Sequence, residues 1–319
     1  MVGAILKTIK ENRRFLVVSH EGPDGDAIAS TLALTLALRS LGKEVVAYNC
    51  DGVPDALAFL PESTTIRCTL EPAERFDVGF ILDAGELRRA GTHLAQHCDL
   101  LVNIDHHPFS EHFTPLHYVD EQASATGVLI YRLLQAGNIP VSREVAFCVY
   151  AAILADTGSF RYSNADAEAF RVAGEMIGLG VNPWDAAAGL YESQPELRLR
   201  LLALALQTLT ISPCGRYGSV SVTTEMYSAT GARAEHTDGF VNYPRSIHGV
   251  EVGLFFRQVG PGQFKVGFRS KGRIDVGAIS REFGGGGHHN AAGAQLAGDL
   301  ESVRNTVFQR VDQLLDSCS

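Results

Sequence analysis

The chain has 319 residues, of which 45% are hydrophobic and 20% are charged, so it is long enough and apolar enough for two domains of ordinary size. Its formal net charge of −9 argues against binding duplex DNA or a membrane through a basic surface, although bound metal ions can still attract an anionic substrate locally. No uncharged apolar stretch reaches the ~18 residues of a transmembrane helix, and the N-terminus lacks the features of a signal peptide, which predicts a cytoplasmic protein. The cysteines form no Cys-x-x-Cys pair, and we expect reduced, mostly buried thiols at Cys50, Cys68, Cys98, Cys148, Cys214 and Cys318.

Short apolar strands alternate with helical patterns from residue 15 to about residue 157. The predicted strands are 15–20, 44–49, 77–84 and 100–107, and the predicted helices are 26–42, 124–137, 141–158, 168–179 and 184–192. Gly42 and Gly137 mark helix ends, and Ser142 is a helix N-cap. This alternation is typical of a mostly parallel sheet flanked by helices.

The pattern changes after residue 193. Residues 194–210 are predicted to form a helix that connects a domain of residues 1–193 to a smaller domain of residues 211–319. In the second domain, residues 218–224, 250–259 and 263–270 show the period-2 alternation of antiparallel strands, and a helix is predicted near residues 300–315. The expected fold class is therefore α/β, with a mostly parallel N-terminal sheet and a C-terminal α/β domain whose sheet is mixed or antiparallel.

Acidic residues and histidines follow four of the apolar segments. Each motif alone has a structural explanation, because Pro-Asp-Gly is a common turn, an aspartate often caps a helix, and adjacent histidines can lie on a solvated loop. Together they would crowd several carboxylates at one sheet edge, where their repulsion calls for divalent cations. The oxygen and nitrogen ligands suit Mn²⁺ or Mg²⁺ better than structural zinc. These motifs are HEGPDGD at 20–26, ILDAG at 81–85, DHH at 105–107 and ADTG at 155–158.

These motifs in this order, followed by GGGGHHNAAG at 284–293, resemble the DHH phosphoesterase superfamily. More narrowly, the chain is similar to the nanoRNase/pAp-phosphatase branch, in which a DHH domain is joined to a DHH-associated domain. The resemblance covers nearly the whole chain. It implies a homodimer with two Mn²⁺ ions per site, with Mg²⁺ or Co²⁺ as alternative ions.

The resemblance also implies a role for each site residue. One ion would be held by His20 and Asp24, the other by Asp26, His106 and Asp156, and Asp83 would bridge both. Asp105 would orient an imidazole, as metal-bound histidines usually require. His107 would face the substrate phosphate and assist the leaving oxygen. The predicted catalytic residues are therefore His107, Asp83 and Asp105.

The glycine-rich run in the second domain is a candidate substrate-binding segment. It is not a P-loop, because no Lys-Ser/Thr follows it, and a flexible loop without a ligand is the alternative. Arg269 is the candidate for a bidentate contact with a terminal phosphate. The alternative is that it is an ordinary exposed charge at the end of a strand. The charge of two divalent ions, +4, equals the −4 of the four aspartates in the cluster, so a second phosphate on the substrate needs cations from elsewhere. If Arg269 and His288 of the second domain supply them, the cleft between the domains would select substrates by their length. The predicted substrate-binding residues are Arg269, Ser270, Gly285, Gly286, Gly287 and His288.

The predicted function is two-metal hydrolysis of very short oligoribonucleotides to 5′-mononucleotides, with 3′-phosphoadenosine 5′-phosphate (pAp) as a second candidate substrate. The expected partners are short single-stranded RNA or dinucleotides and pAp, without duplex DNA or membrane, and the direction of cleavage stays open. One alternative is a phosphodiesterase of linear or cyclic dinucleotide signals. Another, from a different class, is a non-catalytic nucleotide sensor, which would not need the complete set of metal ligands.

Overall fold

The computed structural model describes residues 1–317. Its tertiary contacts divide the chain into two compact units, Met1–Ser193 and Gln194–Ser319. Within the described residues, no helix combines the length and apolar character that a membrane span requires.

The first unit is built on a parallel sheet, as expected. Its described strands are β1 (Arg14–Ser19), β2 (Glu44–Tyr48), β3 (Phe76–Leu82), β4 (Cys98–Asp105) and β5 (Leu116–Val119). They lie in the order β2-β1-β3-β4-β5. The connection after β1 goes to one side of it, to β2, and the later strands are added on the other side, so the strand order switches direction between β1 and β3. Ser19 pairs with Leu82, and Leu82 with Ile104, so β1, β3 and β4 end at the same level. Open α/β sheets bind their ligands at such a switch point.

Helices cover this sheet and its connections. They are α1 (Val2–Glu11), α2 (Gly25–Ser40), α3 (Leu87–Ala90), α4 (Thr126–Ala136), α5 (Arg143–Asp156), α6 (Ala167–Gly178) and α7 (Pro183–Ala187), the last continuing into a π-helical turn at Ala188–Glu192. Short 3₁₀ segments occur at Asp55–Leu57, Ser63–Thr65 and Thr92–Gln96. Helices α2 and α5 are buried on most of their surface, which explains why their sequences are nearly continuously apolar. The four predicted strands and five predicted helices of this unit are present, whereas α1, α3 and β5 were not predicted.

The second unit contains a mixed sheet. Its described strands are β6 (Thr210–Ile211), β7 (Tyr217–Val222), β8 (Val252–Gly260), β9 (Gln263–Ser270), β10 (Gly286–His288) and β11 (Ala291–Ala297), in the order β10-β11-β9-β8-β7-β6. Its helices are α8 (Glu196–Gln207), α9 (Thr224–Thr230), α10 (Asn242–Ser246), α11 (Val276–Glu282) and α12 (Leu300–Ser317), with a 3₁₀ segment at Ala234–Thr237. The α/β fold class is thus confirmed for both units.

One strand direction was predicted wrongly. Strands β8 and β9 form the expected antiparallel hairpin, but β7 pairs with β8 in parallel. The segment between them, which contains α9 and α10, is long enough to return the chain to the end of the sheet at which β7 begins, as a parallel connection requires.

The expected burial of the cysteines was also wrong. Cys148 is buried and Cys98 is partly buried, but Cys50, Cys68 and Cys214 are exposed. All five are free thiols, as expected, and Cys318 lies outside the described residues.

The glycine-rich run forms an edge strand. Residues Gly286–His288 pair antiparallel with Ala291–Gly293 of β11. A side chain at Gly285 would overlap the carbonyl oxygen of Gly293 and approach Ser280 Oγ to 2.6 Å. Glycine at this position therefore has a structural reason within its own unit, whatever ligand the run binds.

Replacing Gly285 by alanine should lower the free energy of unfolding by about 1–3 kcal/mol, because the new methyl group has no room between β11 and α11. Gly286→Ala is the matched control: no atom lies within 4 Å of its added methyl group, and the expected change is below about 0.5 kcal/mol. Urea denaturation of the full chain measures both. Equal stability of the two variants would contradict the packing explanation.

Candidate metal centre and active site

Residues of the four motifs meet at the switch point of the first sheet. His20 directly follows β1, Asp83 directly follows β3, and residues 105–107 form the end of β4 and its continuation. Asp24 and Asp26 lie at the start of α2, and Asp156 is the last residue of α5. The structure therefore brings together all of the acidic residues and histidines predicted for the metal site.

Two imidazoles present the same ring nitrogen to the cluster. The Nδ1 atom of His20 lies 2.8 Å from the carbonyl oxygen of Glu21, and Nδ1 of His106 lies 3.0 Å from that of Ala123. Because a carbonyl can only accept, both Nδ1 atoms carry the hydrogen, which leaves the Nε2 lone pairs free to bind a metal. The Nε2 atoms lie 3.6 Å and 3.5 Å from the two carboxylate oxygens of Asp83.

Asp83 is the centre of the cluster. Its side chain is 1% exposed, and its backbone is left-handed with φ of 57°. The hydroxyl of Thr126 donates to its Oδ1 at 3.0 Å. Burial by itself would raise the pKa of this carboxyl, but the interactions with His20, His107 and His106 hold its pKa below the usual range. Asp83 is therefore ionised at neutral pH.

The carboxylate of Asp26 is fixed at the start of α4. Its Oδ2 accepts the amide of Thr126 at 2.6 Å, and its Oδ1 accepts the amide of Gly127 at 3.1 Å and the hydroxyl of Ser30 at 2.7 Å. Unpaired amides at a helix N-terminus favour an anion. Burial and the charge of Asp83 nevertheless raise the pKa of Asp26 well above its usual range, so further positive charge is needed to hold it ionised.

Close helix packing brings Asp26 near Asp156. A Cβ atom on Gly25 would lie 2.5 Å from Cβ of Ala155, and one on Gly127 would lie 2.5 Å from Cβ of Ala152. Only glycine permits these approaches of α2 and α4 to α5. As a result His106 Nε2 lies 3.7 Å from Oδ2 of Asp26 and 3.9 Å from Oδ2 of Asp156.

Asp156 is oriented by an asparagine that follows it in the chain. The amide Nδ2 of Asn164 donates to Oδ2 of Asp156 at 2.9 Å and to the carbonyl of Ser124 at 3.0 Å. Burial raises the pKa of Asp156 to about 6; the charges of Asp24 and Asp83 act in the same direction, and those of His106 and His107 oppose it.

Asp105 holds the backbone and the ring of the DHH motif. Its Oδ1 accepts the amides of His106 and His107 at 2.9 Å and 3.2 Å and lies 2.8 Å from Nδ1 of His107. Burial would lower the pKa of His107, but the contacts with Asp105 and the charge of Asp83 raise it to about 9. His107 is therefore an imidazolium at neutral pH and can donate a proton.

The donor set fits two divalent cations. Ligand atoms of His20, Asp24 and Asp83 lie within 4.8 Å of one another, and so do those of Asp83, His106 and His107. Asp83 belongs to both groups, which suits a bridging position. Burial, together with the charges of neighbouring carboxylates, raises the pKa values of Asp26 and Asp156, and such ions would supply positive charge that favours the ionised forms.

Three residues that support the cluster were not predicted. They are Ser30, Thr126 and Asn164, which hydrogen-bond Asp26, Asp83 and Asp156 respectively. Thr126 starts a helix in the sequence SATG, but nothing in that sequence indicates which carboxylate its hydroxyl meets.

The candidate substrate-binding residues of the second unit occupy adjacent strands. Arg269 of β9 pairs with Ala291 of β11, which pairs with His288 of β10, so both lie in one row across the sheet. Nη1 of Arg269 donates to the carbonyl of Phe268, and the buried Ser270 donates its hydroxyl to Asn290. The side chain of His288 lies outside the described residues.

Replacing Thr126 by valine keeps the side-chain shape but removes the hydroxyl that holds Asp83. We expect a loss of about 10–100-fold in Mn²⁺ affinity or turnover, as is typical when a hydrogen-bonded partner of a metal ligand is removed. Titration with Mn²⁺ and steady-state kinetics measure the effect. Thr126→Ser retains the hydroxyl and should recover most of the loss, and wild-type behaviour of the valine variant would count against this role.

Comparison with known proteins shows which family the chain belongs to. The model of the DHH family, N-terminal domain, matches residues 14–153, and that of the DHHA1 domain matches residues 220–317. A relative from Thermus thermophilus, the bifunctional oligoribonuclease and PAP phosphatase NrnA, is 34% identical over 319 residues, which cover 99% of this chain and 94% of the relative. The chain belongs to the DHH family. The resemblance noted from its motifs is thereby confirmed.

Two further similarities concern the fold and the metal chemistry. The crystal structure of an exopolyphosphatase-related protein from Bacteroides fragilis superimposes with a TM-score of 0.90 at 29% identity, covering 97% of this chain and 94% of that one. A probable manganese-dependent inorganic pyrophosphatase from Enterococcus faecalis is 24% identical over 59% of this chain and 65% of its own length. The name of this relative states a dependence on manganese.

Proposed function

We propose that this DHH protein is a two-metal phosphoesterase that hydrolyses very short oligoribonucleotides to 5′-mononucleotides, and pAp to AMP and phosphate. The observation that carries the proposal is the combination of a similarity along nearly the full length to an oligoribonuclease and PAP phosphatase with a complete cluster of acidic residues and histidines. A non-catalytic nucleotide sensor would not need that complete set.

We propose that His20, Asp24, Asp26, His106 and Asp156 hold the two ions and that Asp83 bridges them. Mn²⁺ is favoured over Mg²⁺ because imidazoles belong to the ligand set, whereas Mg²⁺ prefers oxygen ligands alone. When bound, two such ions lower the pKa of an attacking water and balance the charge that develops on the phosphoryl oxygens.

The remaining groups of the site orient its side chains and donate a proton. Asp105 holds the His107 ring through its Nδ1 atom, and Nε2 carries the second proton of the imidazolium. We propose that this nitrogen protonates the departing ribose oxygen. The backbone amides at the start of α4 hold the Asp26 carboxyl group in its position before any substrate arrives.

Substrate contacts are proposed for Arg269, Ser270 and the segment Gly285–His288. The guanidinium of Arg269 would bind a second phosphate, as pAp and 5′-phosphorylated dinucleotides both require. A homodimer that avoids duplex DNA is also proposed, in keeping with the net charge of −9. Sedimentation velocity tests the dimer.

The test of the proposed function compares kcat/KM for a 5′-phosphorylated diribonucleotide, a longer RNA and pAp, each with Mn²⁺ and with a chelator-treated control. A strong preference for the diribonucleotide supports a scavenger of short RNA. Preference for pAp makes nucleotide phosphatase the main activity. Absence of turnover with every one of them, while Mn²⁺ still binds, would reject the proposal in favour of a nucleotide sensor.

A further inference from the structure

An aromatic ring stands almost fully in solvent beside the DHH motif. Phe109 lies two residues after His107, and its side chain is 92% exposed. No other large hydrophobic side chain among the described residues is as exposed; Trp184 follows at 64%. An apolar ring in water loses the free energy that burial would give, so this position calls for an explanation beyond folding.

The backbone of Phe109 is also strained. Its φ is 64°, in the left-handed region that glycine, asparagine and aspartate tolerate and that is an outlier for a bulky residue. Such strain persists where surrounding contacts impose it, and it clusters at functional sites. Asp83, at φ of 57°, is a second example in this cluster.

Surrounding contacts hold the Phe109 segment in place. The amide of Phe109 donates to Oε1 of Glu121 at 3.3 Å, and the amide of Glu111 donates to the carbonyl of Gly85 at 2.7 Å. The hydroxyl of Ser110 accepts Nδ2 of Asn103 at 3.2 Å. Residues 109–111 are thus attached to β4 and to the segments that follow β3 and β5, which fixes the backbone at Phe109.

The attachment places the backbone of the Phe109 segment next to residues of the metal cluster. Gly85 lies two residues after Asp83, and a Cβ atom there would be 4.0 Å from Cβ of His107 and 3.9 Å from Cα of Ser110. Two residues of chain separate the Cα atoms of His107 and Phe109 by at most about 7 Å. A nucleotide whose phosphate reaches His107 therefore has its base within reach of the phenyl ring.

We propose that Phe109 is a stacking platform for a nucleobase of the substrate. This inference rests on the proposed function and deepens it, because it assigns a residue of the DHH unit to recognition of the base. Every nucleobase has a π-face, so stacking on phenylalanine selects for nucleotides over simple phosphates without selecting a sequence. The side chain that the fold leaves in water is then covered when substrate binds.

The first test is kinetic. Phe109→Ala should raise KM for a 5′-phosphorylated diribonucleotide about 5- to 100-fold, the range expected when one base loses an aromatic partner, with little change in kcat. KM for an analogue that lacks both bases should be the same in the wild type and the variant. Trp184→Ala, which removes another exposed aromatic ring, is the matched control and should leave both KM values unchanged.

The second test is spectroscopic and needs no turnover. Because Trp184 is the single tryptophan of the chain, the double variant Phe109→Trp, Trp184→Phe reports from position 109 alone. Adding AMP, a product that the enzyme does not hydrolyse, to the Mn²⁺-loaded double variant should change its fluorescence, and adding ribose 5-phosphate should not. The same titrations on Trp184→Phe are the blank.

The outcomes separate this inference from the proposed function. An unchanged KM in Phe109→Ala together with no response to AMP would overturn the stacking platform, even if the wild type cleaves dinucleotides. A response to AMP without turnover by the wild type would retain the platform and reject the enzyme. A changed sedimentation coefficient with unchanged KM in Phe109→Ala would make the ring a contact between copies, which also overturns the inference.

Discussion

Replacing Asp83 by asparagine should leave the protein folded and nearly abolish turnover. Asparagine tolerates the left-handed backbone of this position, where φ is 57°, and can still accept the hydroxyl of Thr126. The substitution removes the negative charge that the two proposed ion sites would share. The loss should exceed the roughly 10–100-fold that follows when only a partner of a metal ligand is removed. Initial rates at saturating Mn²⁺ measure it, with circular dichroism to verify the fold.

Asp99→Asn is the control for the Asp83 variant. Asp99 is an exposed residue of β4, near the end of the strand that lies away from the cluster, and its replacement should change neither fold nor rate. Turnover of Asp83→Asn close to the wild-type rate would remove Asp83 from the bridging role that we propose.

Adding Mn²⁺ to chelator-treated protein should raise its melting temperature. A ligand present at 100 times its dissociation constant stabilises the folded state by about 2.7 kcal/mol per site. For a unit of this size each kcal/mol corresponds to roughly 2–4 °C, so one filled site should shift the transition of the first unit by about 5–10 °C. The physical cause is relief of the repulsion among the buried aspartates, whose pKa values at positions 26 and 156 are raised.

Differential scanning fluorimetry with and without Mn²⁺ measures this shift. The Asp83→Asn variant should lose most of it, because the residue common to both ligand groups is changed. A shift of equal size in the variant would mean that the ion binds elsewhere. Asp99→Asn should respond as the wild type does.

The positions of the site residues could be predicted from the sequence because each follows an apolar segment. The carboxyl ends of neighbouring parallel strands meet at one sheet edge, so His20, Asp83 and His106 had to come together once the sheet formed. Their supporting contacts could not be predicted. Thr126 and Asp83 are brought together by the packing of α4 on the sheet, and the sequence carries no signal for that distance.

The second unit shows a different limit of sequence reasoning. Alternating apolar residues indicate a strand and its buried face but not the direction of its neighbour, so the parallel pairing of β7 with β8 was missed. Glycine has low β propensity, so nothing local predicted that Gly286–His288 would form a strand. Hydrogen bonds to β11 decide that structure.

The distribution of the cluster along the chain bears on how the protein is made. His20 leaves the ribosome well before Asp156, which lies at the end of α5 and follows most of the first unit in the chain. Parallel strand pairing between distant segments must also wait for the intervening chain. A nascent chain that stops before α5 therefore contains the histidines but not the complete ligand set, and phosphoesterase activity that needs this set begins only after α5 has been synthesised and the unit has folded.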